Sequence, residues 1–547
     1  MKWMKDASKA GFGTSREEQL HTEVEALREQ NSALQAALEQ AEATRLQQVA
    51  ELQARLASFE EQIRLANQRA YGKSSEQSIP EQINLFNEAE SEANSALPEP
   101  TEEQVVTHRK KPSMTRESMR EDLPTTVIEH RLSEEQQICD ACGGVIHEMG
   151  CESRREIKYI PAHIEIVQHD VYRYGCRDCD QHGISSTIVM APAPKAVLPK
   201  SMASASLISG IVENKFLQGT PLYRQEKQFE RLGIHLSRQT MSNWMIAVAK
   251  FRLEPLYARM QHMLRQLDIL HADETVLQVL KEPGRAADTQ SYMWMYRTGL
   301  DGPPIVLYEY QTTRASKHVK AFLSGFSGFL QTDGYAGYND LPGIRQVGCW
   351  AHARRKFHEA YKSLPTGEAA GSASEQGIHF CDRLYRVEKS LEAATPEDRK
   401  VGRLTHSKPI LDEMYTWLKW QKPRMLPKSV FGTAVVYCLN QWESLNRFLE
   451  DGHLSLDNNR AERSIKPFVI GRKNWLFSNT PNGAKCTAIL YSVMETATEN
   501  GLNAPKYLEW LLETMAASGT VENIQLDQWM PWSNLVPEYC RMSSKDN

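Results

Sequence analysis

Three carboxylic acids, Asp273, Asp333 and Glu462, are the side chains best placed to do chemistry in this 547-residue chain. Asp273 ends one apolar run, and Asp333 ends a second, GFLQT, just before Gly334. Carboxylates that are forced close together repel each other unless cations hold them. Two magnesium or manganese ions on such acids could activate an attacking oxygen and stabilise a leaving oxygen at phosphorus. The acids therefore predict a metal-dependent site that acts on phosphodiester bonds.

The elements around the first two acids are predicted to be strands and helices in a defined order. A buried strand ends at Asp273 and is followed by the strand-like segments VLQVL, SYMWMYRTG and PIVLYEY. The helix-like SKHVKAFLSGF precedes the strand that ends at Asp333, and RQVGCW then leads into the basic helix AHARRKFHEAYKSL. This is the order of an RNase H-like core, whose first and fourth strands are neighbours, so the two acids would meet.

The third acid lies in a segment that mixes acidic and basic residues. A helix that carries Glu462 toward the strands would place Arg463 and Lys466 near a negatively charged substrate backbone. Arg472 and Lys473 extend the same basic segment and are further candidate DNA contacts.

Each acid also has a purely structural explanation. Asp273 could be an exposed residue at a strand end, and Asp333 with Gly334 could form an ordinary turn. Asn459 and Glu462, three residues apart, fit a helix capping box. The intervals of 60 and 129 residues between the acids are not diagnostic, so spacing alone leaves both explanations open.

Two cysteine pairs have the spacing of a tetrahedral zinc site, in which each pair binds one side of the metal. The four residues are Cys139, Cys142, Cys176 and Cys179. The strand-like HIEIVQHDVYRY between the pairs could form the hairpin of a zinc ribbon. Four unrelated thiols are the alternative, and a redox pair is disfavoured because two matched pairs are present. Three isolated candidates are left out of the site: Cys151, His163 and His182.

Cys349 and His352 lie close together in the segment after the last predicted strand. A metal site or a nucleophile is one interpretation of this pair. A buried thiol beside Trp350 and a histidine that faces phosphate are favoured, because no second paired thiol accompanies them.

Residues 221–248 are predicted to form a helix, a turn at Gly233 and a second helix capped by Ser237. Three polar side chains would project from the first turns of the second helix, where a recognition helix meets DNA: Arg238, Gln239 and Asn243. Any helical hairpin in a bundle has the same pattern, so DNA contact is one of two open interpretations.

Residues 20–66 carry two heptad runs that differ in phase, with a break near residues 39–48. Asn31 falls at an a position, where a buried amide favours an in-register dimer. A coiled coil that joins two or more copies of the chain is favoured over a single helix packed on its own protein.

Composition places the chain among folded proteins, with 41% hydrophobic and 24% charged residues. We find no run of eighteen apolar residues and no apolar core of a secretory signal at the start, so we expect a cytoplasmic protein without membrane contact. The net charge of −5 does not itself indicate nucleic acid binding.

Ordered matches along nearly the whole chain resemble the transposases of insertion sequence family 66 (IS 66), which belong to the DDE class. The resemblance rests on the cysteine pairs and on the following segments: RAYGKSSE from Arg69, PLYRQ from Pro221, HADET from His271, TDGY from Thr332, CWAHARRKF from Cys349, the stretch from Asp457 to Trp475, and GLN from Gly501 with WMPW from Trp529. Tyr71 and the doubled Ser74–Ser75 depart from the family pattern, which puts only that local segment in doubt.

The resemblance implies that Asp273, Asp333 and Glu462 are the catalytic acids, that residues 139–179 bind zinc and that residues 20–66 form a leucine zipper. It implies a bacterial, nucleoid-associated enzyme that binds the inverted repeats of its element, cleaves the ends and joins them to target DNA. Small companion proteins of the same element are implied partners. A catalytically silent DNA-binding regulator and a nuclease that does not rejoin DNA are the alternatives.

The expected fold class is multidomain α+β. An N-terminal coiled coil, a zinc ribbon and a helical helix-turn-helix-like region would precede an RNase H-like α/β catalytic core with a helical insertion. The expected boundaries are 1–70 for the coiled coil, 71–125 for a linker, 126–195 for the zinc ribbon, 196–262 for the helical DNA-binding region, 263–363 for the first part of the core, 364–450 for the insertion, 451–500 for the core completion and 501–547 for a C-terminal tail domain.

Overall fold

A single uninterrupted helix, α1 (Thr14–Tyr71, 58 residues), forms the N-terminal part of the computed structural model. The structure describes residues 14–71, 164–174, 189–365, 367–518 and 523–542. The four paired cysteines of the predicted zinc site and the predicted linker after Tyr71 lie outside these residues.

The apolar stripe of α1 is exposed wherever its side chains are described. Leu34 is 62% and Leu56 is 63% exposed. The helix continues through residues 39–48, where the heptad pattern changes phase, because it contains no Pro or Gly that would break it. The alternative in which this helix packs its apolar face on its own protein is therefore wrong for these side chains, and a second helix remains the predicted partner.

The strand predicted across HIEIVQHDVYRY is much shorter in the structure. Among its described residues only β1 (Arg173–Tyr174) is a strand, and it pairs antiparallel with β2 (Val189–Met190). Residues 164–171 have no strand partner among the described residues, and Ile166 is 90% exposed. The described pairing therefore joins segments on either side of the second cysteine pair, not two arms of a hairpin between the pairs.

The predicted helix, glycine turn and helix between residues 221 and 248 are confirmed. Gly233, at φ +86°, makes the turn, and Ser237 Oγ caps the second helix by accepting from the Thr240 N–H at 3.1 Å. A π-helical turn follows directly and leads into a further helix. The helices of this region are α2 (Ala205–Phe216), α3 (Leu222–Arg231), α4 (Arg238–Val248) and α5 (Glu254–Leu264).

A five-stranded mixed sheet follows α5. Its elements in chain order are β3 (Ile269–Gln278), β4 (Gln290–Thr298), β5 (Val306–Gln311), α6 (Ser316–Phe322), β6 (Gly328–Gln331) and β7 (Ile344–Val347). The strand order is β5-β4-β3-β6-β7, with the first three strands antiparallel and β3, β6 and β7 parallel. The predicted neighbours β3 and β6 are therefore adjacent.

The prediction that the first strand ends at Asp273 is wrong. Asp273 lies in the middle of β3, which continues to Gln278 and includes the first residues of VLQVL. Beyond His271, β3 no longer pairs with the parallel strand β6 but still pairs with the antiparallel strand β4. Asp273 thus lies on a strand that is paired on one side only.

Residues 350–446 fold into helices between the second and third acids. They are α7 (Trp350–Ser363), α8 (Ala373–Ser390), α9 (Pro396–Gly402), α10 (Lys408–Gln421), α11 (Val430–Asn440) and α12 (Trp442–Asn446). Trp350, Phe357 and Met414 belong to a hydrophobic core that these helices share with Ile269 and Val347 of the sheet. The inserted helices therefore cover one face of the sheet near β6 and β7.

The remaining helices complete a second hydrophobic core on the sheet. They are α13 (Asn459–Trp475), α14 (Pro481–Glu499), α15 (Ala504–Ser518) and α16 (Asn523–Gln528). This core includes Leu270 and Ala272 of β3, Leu256 of α5 and Leu508 of α15, so the helices before the sheet and the C-terminal residues pack into one body with it. None of the described helices is both long enough and apolar enough to cross a membrane.

A buried arginine on β4 ties α13 and α14 to the sheet. Arg297 is 1% exposed and donates to both carboxylate oxygens of Glu499, at 3.1 and 2.9 Å. It also donates to the Arg460 carbonyl at 3.2 Å and to Ser464 Oγ. A buried guanidinium needs several acceptors, because its charge cannot be removed at neutral pH.

We predict that Arg297→Ala destabilises the folded protein strongly. The substitution removes a buried guanidinium together with its hydrogen bonds to Glu499, Arg460 and Ser464, and loss of such charged hydrogen bonds typically costs about 2–3 kcal/mol. The matched control is Arg383→Ala, which breaks the more exposed Arg383–Glu413 pair and should cost about 0–1 kcal/mol. Thermal unfolding of the two variants measures the difference, and equal melting temperatures would contradict the role given to Arg297.

Candidate functional site

The register of β3 and β6 brings the first two predicted acids together. Ile269 pairs with Phe329 and His271 with Gln331, so paired residues differ by 60 in number. Asp273 and Asp333 differ by the same 60 residues, two positions beyond the last pair. Asp273 projects from the strand and Asp333 from the loop that follows β6, at the same end of the parallel pair.

The pKa of Asp273 is affected by both of the other acids. Burial raises the pKa of Asp273 well above its usual range, and the neighbouring Glu274 carboxylate raises it further. The carboxylates of Asp333 and Glu462 act in the same direction, while the Glu274 N–H, which donates to Asp273 Oδ1 at 2.8 Å, opposes them. The ionised form of Asp273 thus lacks compensating positive charge, which a bound cation would supply.

Glu274 lies next to Asp273 in sequence but has different partners. Its carboxylate is ion-paired with Arg314, whose Nε donates at 2.7 Å, and it accepts from the Tyr338 hydroxyl. Successive side chains of a strand point to opposite faces of the sheet. Glu274 therefore has its own cation within the protein.

Asp333 does form the turn that its structural explanation predicts. Its Oδ1 accepts from the Tyr335 N–H at 2.8 Å, and Gly334 adopts φ +88°, which favours glycine. Helix α11 holds this turn through the Tyr437 hydroxyl, which donates to the Asp333 carbonyl at 2.9 Å. The turn and the proximity to Asp273 coexist, so the two explanations of Asp333 do not exclude each other.

The capping-box explanation of Glu462 is wrong. Helix α13 begins at Asn459, and the Asn459 N–H donates to Asp457 Oδ1 at 3.0 Å, not to a residue in the helix. Asp457 also accepts from the Tyr385 hydroxyl at 2.9 Å, so its carboxylate is occupied in holding the start of the helix. Glu462 lies one turn into α13, where its Oε2 accepts from Arg355 at 3.2 Å.

A buried network fixes the start of α13 against β3. Asn458 donates from Nδ2 to the Ala272 carbonyl at 2.9 Å, and its N–H donates to Cys349 Sγ at 3.2 Å. Its Oδ1 then accepts from His271 Nδ1 at 2.9 Å, which places the imidazole proton on Nδ1. Burial lowers the pKa of His271 to about 3, so the ring stays neutral. Through these bonds the position of Glu462 depends on the strand that carries Asp273.

His352, on α7, lies beside Glu462. Its Nδ1 is 3.6 Å from Glu462 Oε1, and neither buried atom has a hydrogen-bond partner among the described residues. Burial lowers the pKa of His352 and Arg355 lowers it further, whereas Glu462 and Asp333 oppose the shift. Cys349 Sγ lies within 4.8 Å of both groups, and burial raises its pKa to about 12. The prediction of a buried thiol at Cys349 is confirmed.

The predicted DNA contacts lie on two helices. Three residues of α4 are exposed: Arg238, Gln239 and Asn243. Within the described residues, no hydrogen bond or ion pair links them to the three acids.

The other predicted contacts lie on α13, where Arg463 and Lys473 are exposed and Lys466 is half-buried. Arg472 differs from the others, because its guanidinium donates to Thr275 Oγ1 at 3.1 Å and to the Val276 carbonyl. Arg472 thus also anchors α13 to β3.

A basic groove beside the acids was not predicted from the sequence. Its cavity of about 460 Å³ lies between α7, α8 and the start of α13. The residues that line it are Ala351, Arg354, Arg355, His358, Asp382, Tyr385 and Asn459. Arg355 contributes to both the groove and the Glu462 environment, so the groove opens next to the acid cluster.

The sequence contained partial signals for the residues that were missed. His271 lies two residues before Asp273, on the same face of the strand, which is where a supporting residue would be sought. The sequence did not indicate the role of Arg297. No residue spacing along an apolar strand shows which residues a single charged side chain will contact. The pairing of His352 with Glu462 joins residues 110 positions apart and could be found only once α7 and α13 were placed.

Comparison with known proteins shows which family the chain resembles. Residues 200–486 match the family model described as "Transposase IS66 family". Residues 136–180 match the "zinc-finger binding domain of transposase IS66", and residues 58–128 match "Transposase C of IS166 homeodomain". No solved structure matches the chain significantly.

Three similar proteins come from Sinorhizobium fredii, and all three are described as uncharacterized. The protein y4jD is 31% identical over 73% of this chain and 78% of its own length. The proteins y4qI and y4hP are 29% and 28% identical over 74% and 72% of this chain, and over 75% and 73% of their own lengths. Because one family model covers more than half of the chain and its zinc-finger and N-terminal models match in the expected order, this protein belongs to the IS66 family of transposases.

Proposed function

We propose that this chain is a DDE transposase that cleaves the ends of its insertion sequence and joins the exposed 3′ hydroxyls to target DNA. Asp273, Asp333 and Glu462 would hold two Mg²⁺ or Mn²⁺ ions. The observation that supports the proposal is the parallel register of β3 and β6, which brings Asp273 and Asp333 to the same end of the strand pair. Glu462 is also close enough for its carboxylate to raise the pKa of Asp273, so acids 60 and 129 residues apart in the chain come together.

The residues present fit such ions. Carboxylate oxygens are the ligands that Mg²⁺ and Mn²⁺ prefer. Glu462 Oε1 is buried without a hydrogen-bond partner among the described residues, and Asp273 lacks compensating positive charge. When bound, the ions would activate the attacking oxygen and stabilise the leaving oxygen of a phosphodiester.

The protein's own contribution is to hold and orient the acids. The parallel pair β3 and β6 fixes Asp273 against Asp333, and the bonds of Asn458 fix the helix that carries Glu462. The strand order β5-β4-β3-β6-β7 supports an RNase H-like core for this part of the chain.

Positive charge beside the acids suits a DNA backbone. Arg355 and the exposed Arg463 flank Glu462 and would contact phosphates, as would Lys466 and Lys473 farther along α13. Exposed Arg238, Gln239 and Asn243 on α4 would contact the element ends.

The N-terminal regions would serve binding and assembly. Cys139, Cys142, Cys176 and Cys179 would hold Zn²⁺, in agreement with the zinc-finger match. The exposed apolar stripe of α1 would pair with the same helix of a second copy. Companion proteins of the element would be additional partners.

We predict that Asp273→Asn, Asp333→Asn and Glu462→Gln each abolish cleavage and joining of labelled element ends. Losing the charge stabilisation that the metal ions supply costs several kcal/mol, which corresponds to a rate that is at least roughly 10³-fold lower. Binding of the ends, measured by gel shift, should be unchanged. The control is Asp301→Asn, an exposed acid on the loop between β4 and β5. Wild-type joining by the Asp273 variant would rule out this set of acids.

We also predict that Asp273→Asn removes a pH-dependent loss of stability. The pKa of Asp273 in the folded state lies above its ordinary value of 3.8, so the folded state holds this proton more tightly than the unfolded state does. The folded protein is therefore more stable in acid, and this stability is lost as the pH rises through the pKa of the folded state. Without added divalent metal, the melting temperature of the wild type should fall relative to that of the variant as the pH rises above the ordinary value of 3.8. Each pKa unit is worth about 1.4 kcal/mol. Adding Mn²⁺ should raise only the wild-type value, and parallel pH curves would contradict the electrostatic account.

Self-association through α1 gives a further prediction. Leu34 and Leu38 fall at successive d and a positions, so Leu34→Glu with Leu38→Glu should reduce the assembly to monomers in sedimentation experiments. Gln35→Glu adds a charge to the same turn but outside the stripe, and it should leave the assembly intact. An unchanged mass for the double variant would exclude pairing through this stripe.

A further inference from the structure

Two buried polar atoms face each other beside the acid cluster without hydrogen-bond partners among the described residues. They are His352 Nδ1 and Glu462 Oε1, 3.6 Å apart. A buried polar atom without a partner costs free energy, so a native structure usually gives it a proton, a water or an ion. A separation of 3.6 Å is too long for a direct hydrogen bond but suits two ligands of one ion.

The third group of this cluster does not belong to the same donor set. Cys349 Sγ already accepts from the Asn458 N–H at 3.2 Å, and the thiol is fully buried. Only the thiolate is a good metal ligand. The thiol therefore supports the start of α13, and the nitrogen of His352 and the oxygen of Glu462 remain as donors.

The surroundings place this pair at the same site as the other acids. Arg355 bonds the other oxygen, Oε2, so Oε1 is the oxygen of Glu462 that faces the histidine. His352 lies on the first turn of α7, three residues after Cys349, and α7 packs in the core that covers the Ile269 face of the sheet. By the alternation of side chains along β3, Asp273 shares that face with Ile269.

We infer that His352 Nδ1 is a nitrogen ligand of the divalent cation held by Glu462, so that the site combines three carboxylates with one imidazole. This inference rests on the proposed function. Mg²⁺ takes oxygen ligands, whereas imidazole is a ligand of first-row transition metals, the series to which Mn²⁺ belongs. The site is therefore expected to bind Mn²⁺ more tightly than a site of carboxylates alone.

Electron spin echo spectroscopy of the Mn²⁺-loaded, full-length protein tests the inference. One equivalent of Zn²⁺ is kept present to fill the predicted cysteine site. A coordinated imidazole gives ¹⁴N modulation of the Mn²⁺ signal, and growth with ¹⁵N-labelled histidine should replace it by the ¹⁵N pattern without any substitution. The modulation should disappear in His352→Gln. It should persist in His379→Gln, which makes the same change on an exposed residue of α8.

The affinity for Mn²⁺, measured by calorimetry, provides the second readout. His352→Gln should weaken binding roughly 10- to 100-fold, the usual effect of losing a residue that supports a metal, and the control should not. Mn²⁺ binding that is lost in Asp333→Asn but shows no histidine nitrogen and no change in His352→Gln would overturn the inference and leave the proposed function standing. Binding that is unaffected by Asp333→Asn would overturn both.

Discussion

The parallel pairing of β3 with β6 is the constraint on which the candidate site depends. Paired residues differ by 60 in number, as do Asp273 and Asp333. A slip of one residue would turn the side chains of β6 to the opposite face of the sheet. Burial of Leu270 and Ala272 on one face and of Ile269 on the other makes such a slip costly, because both faces of β3 are covered by hydrophobic cores. The hydrophobic pattern of the strand therefore also determines which acids meet.

The third acid depends on polar contacts rather than on strand pairing. Asn458 bonds His271, Ala272 and Cys349, so the strand, the start of α13 and the start of α7 meet at one buried side chain. Arg297 holds the next turn of α13 by donating to the Arg460 carbonyl and Ser464. These hydrogen bonds satisfy buried donors and acceptors, so a shift of the helix that broke them would cost free energy.

The strand order could be predicted from the sequence, because apolar runs of strand length with a helix-like segment between them define it. The end of β3 could not, since Asp273 remains in the strand through its pairing with β4 alone. The sequence also left open whether Glu462 is a metal ligand or part of a capping box, and the contacts of Asp457 with Asn459 and Tyr385 exclude the capping box. The sequence singled out His352 but not its pairing with Glu462, because the two residues lie on helices at opposite ends of the insertion.

The helices inserted between Asp333 and Glu462 form part of the site itself. Tyr437 of α11 bonds the backbone of Asp333, while His352 and Arg355 of α7 face Glu462. Asp273 projects from the same face of β3 as Ile269, which belongs to the core that these helices form, and burial raises the pKa of Asp273. Glu274, on the opposite face, is neutralised by Arg314 within the protein. Two adjacent acids thus differ in their need for an external cation, because only Glu274 has a basic partner of its own. The insertion thereby supplies side chains that contact two of the three acids.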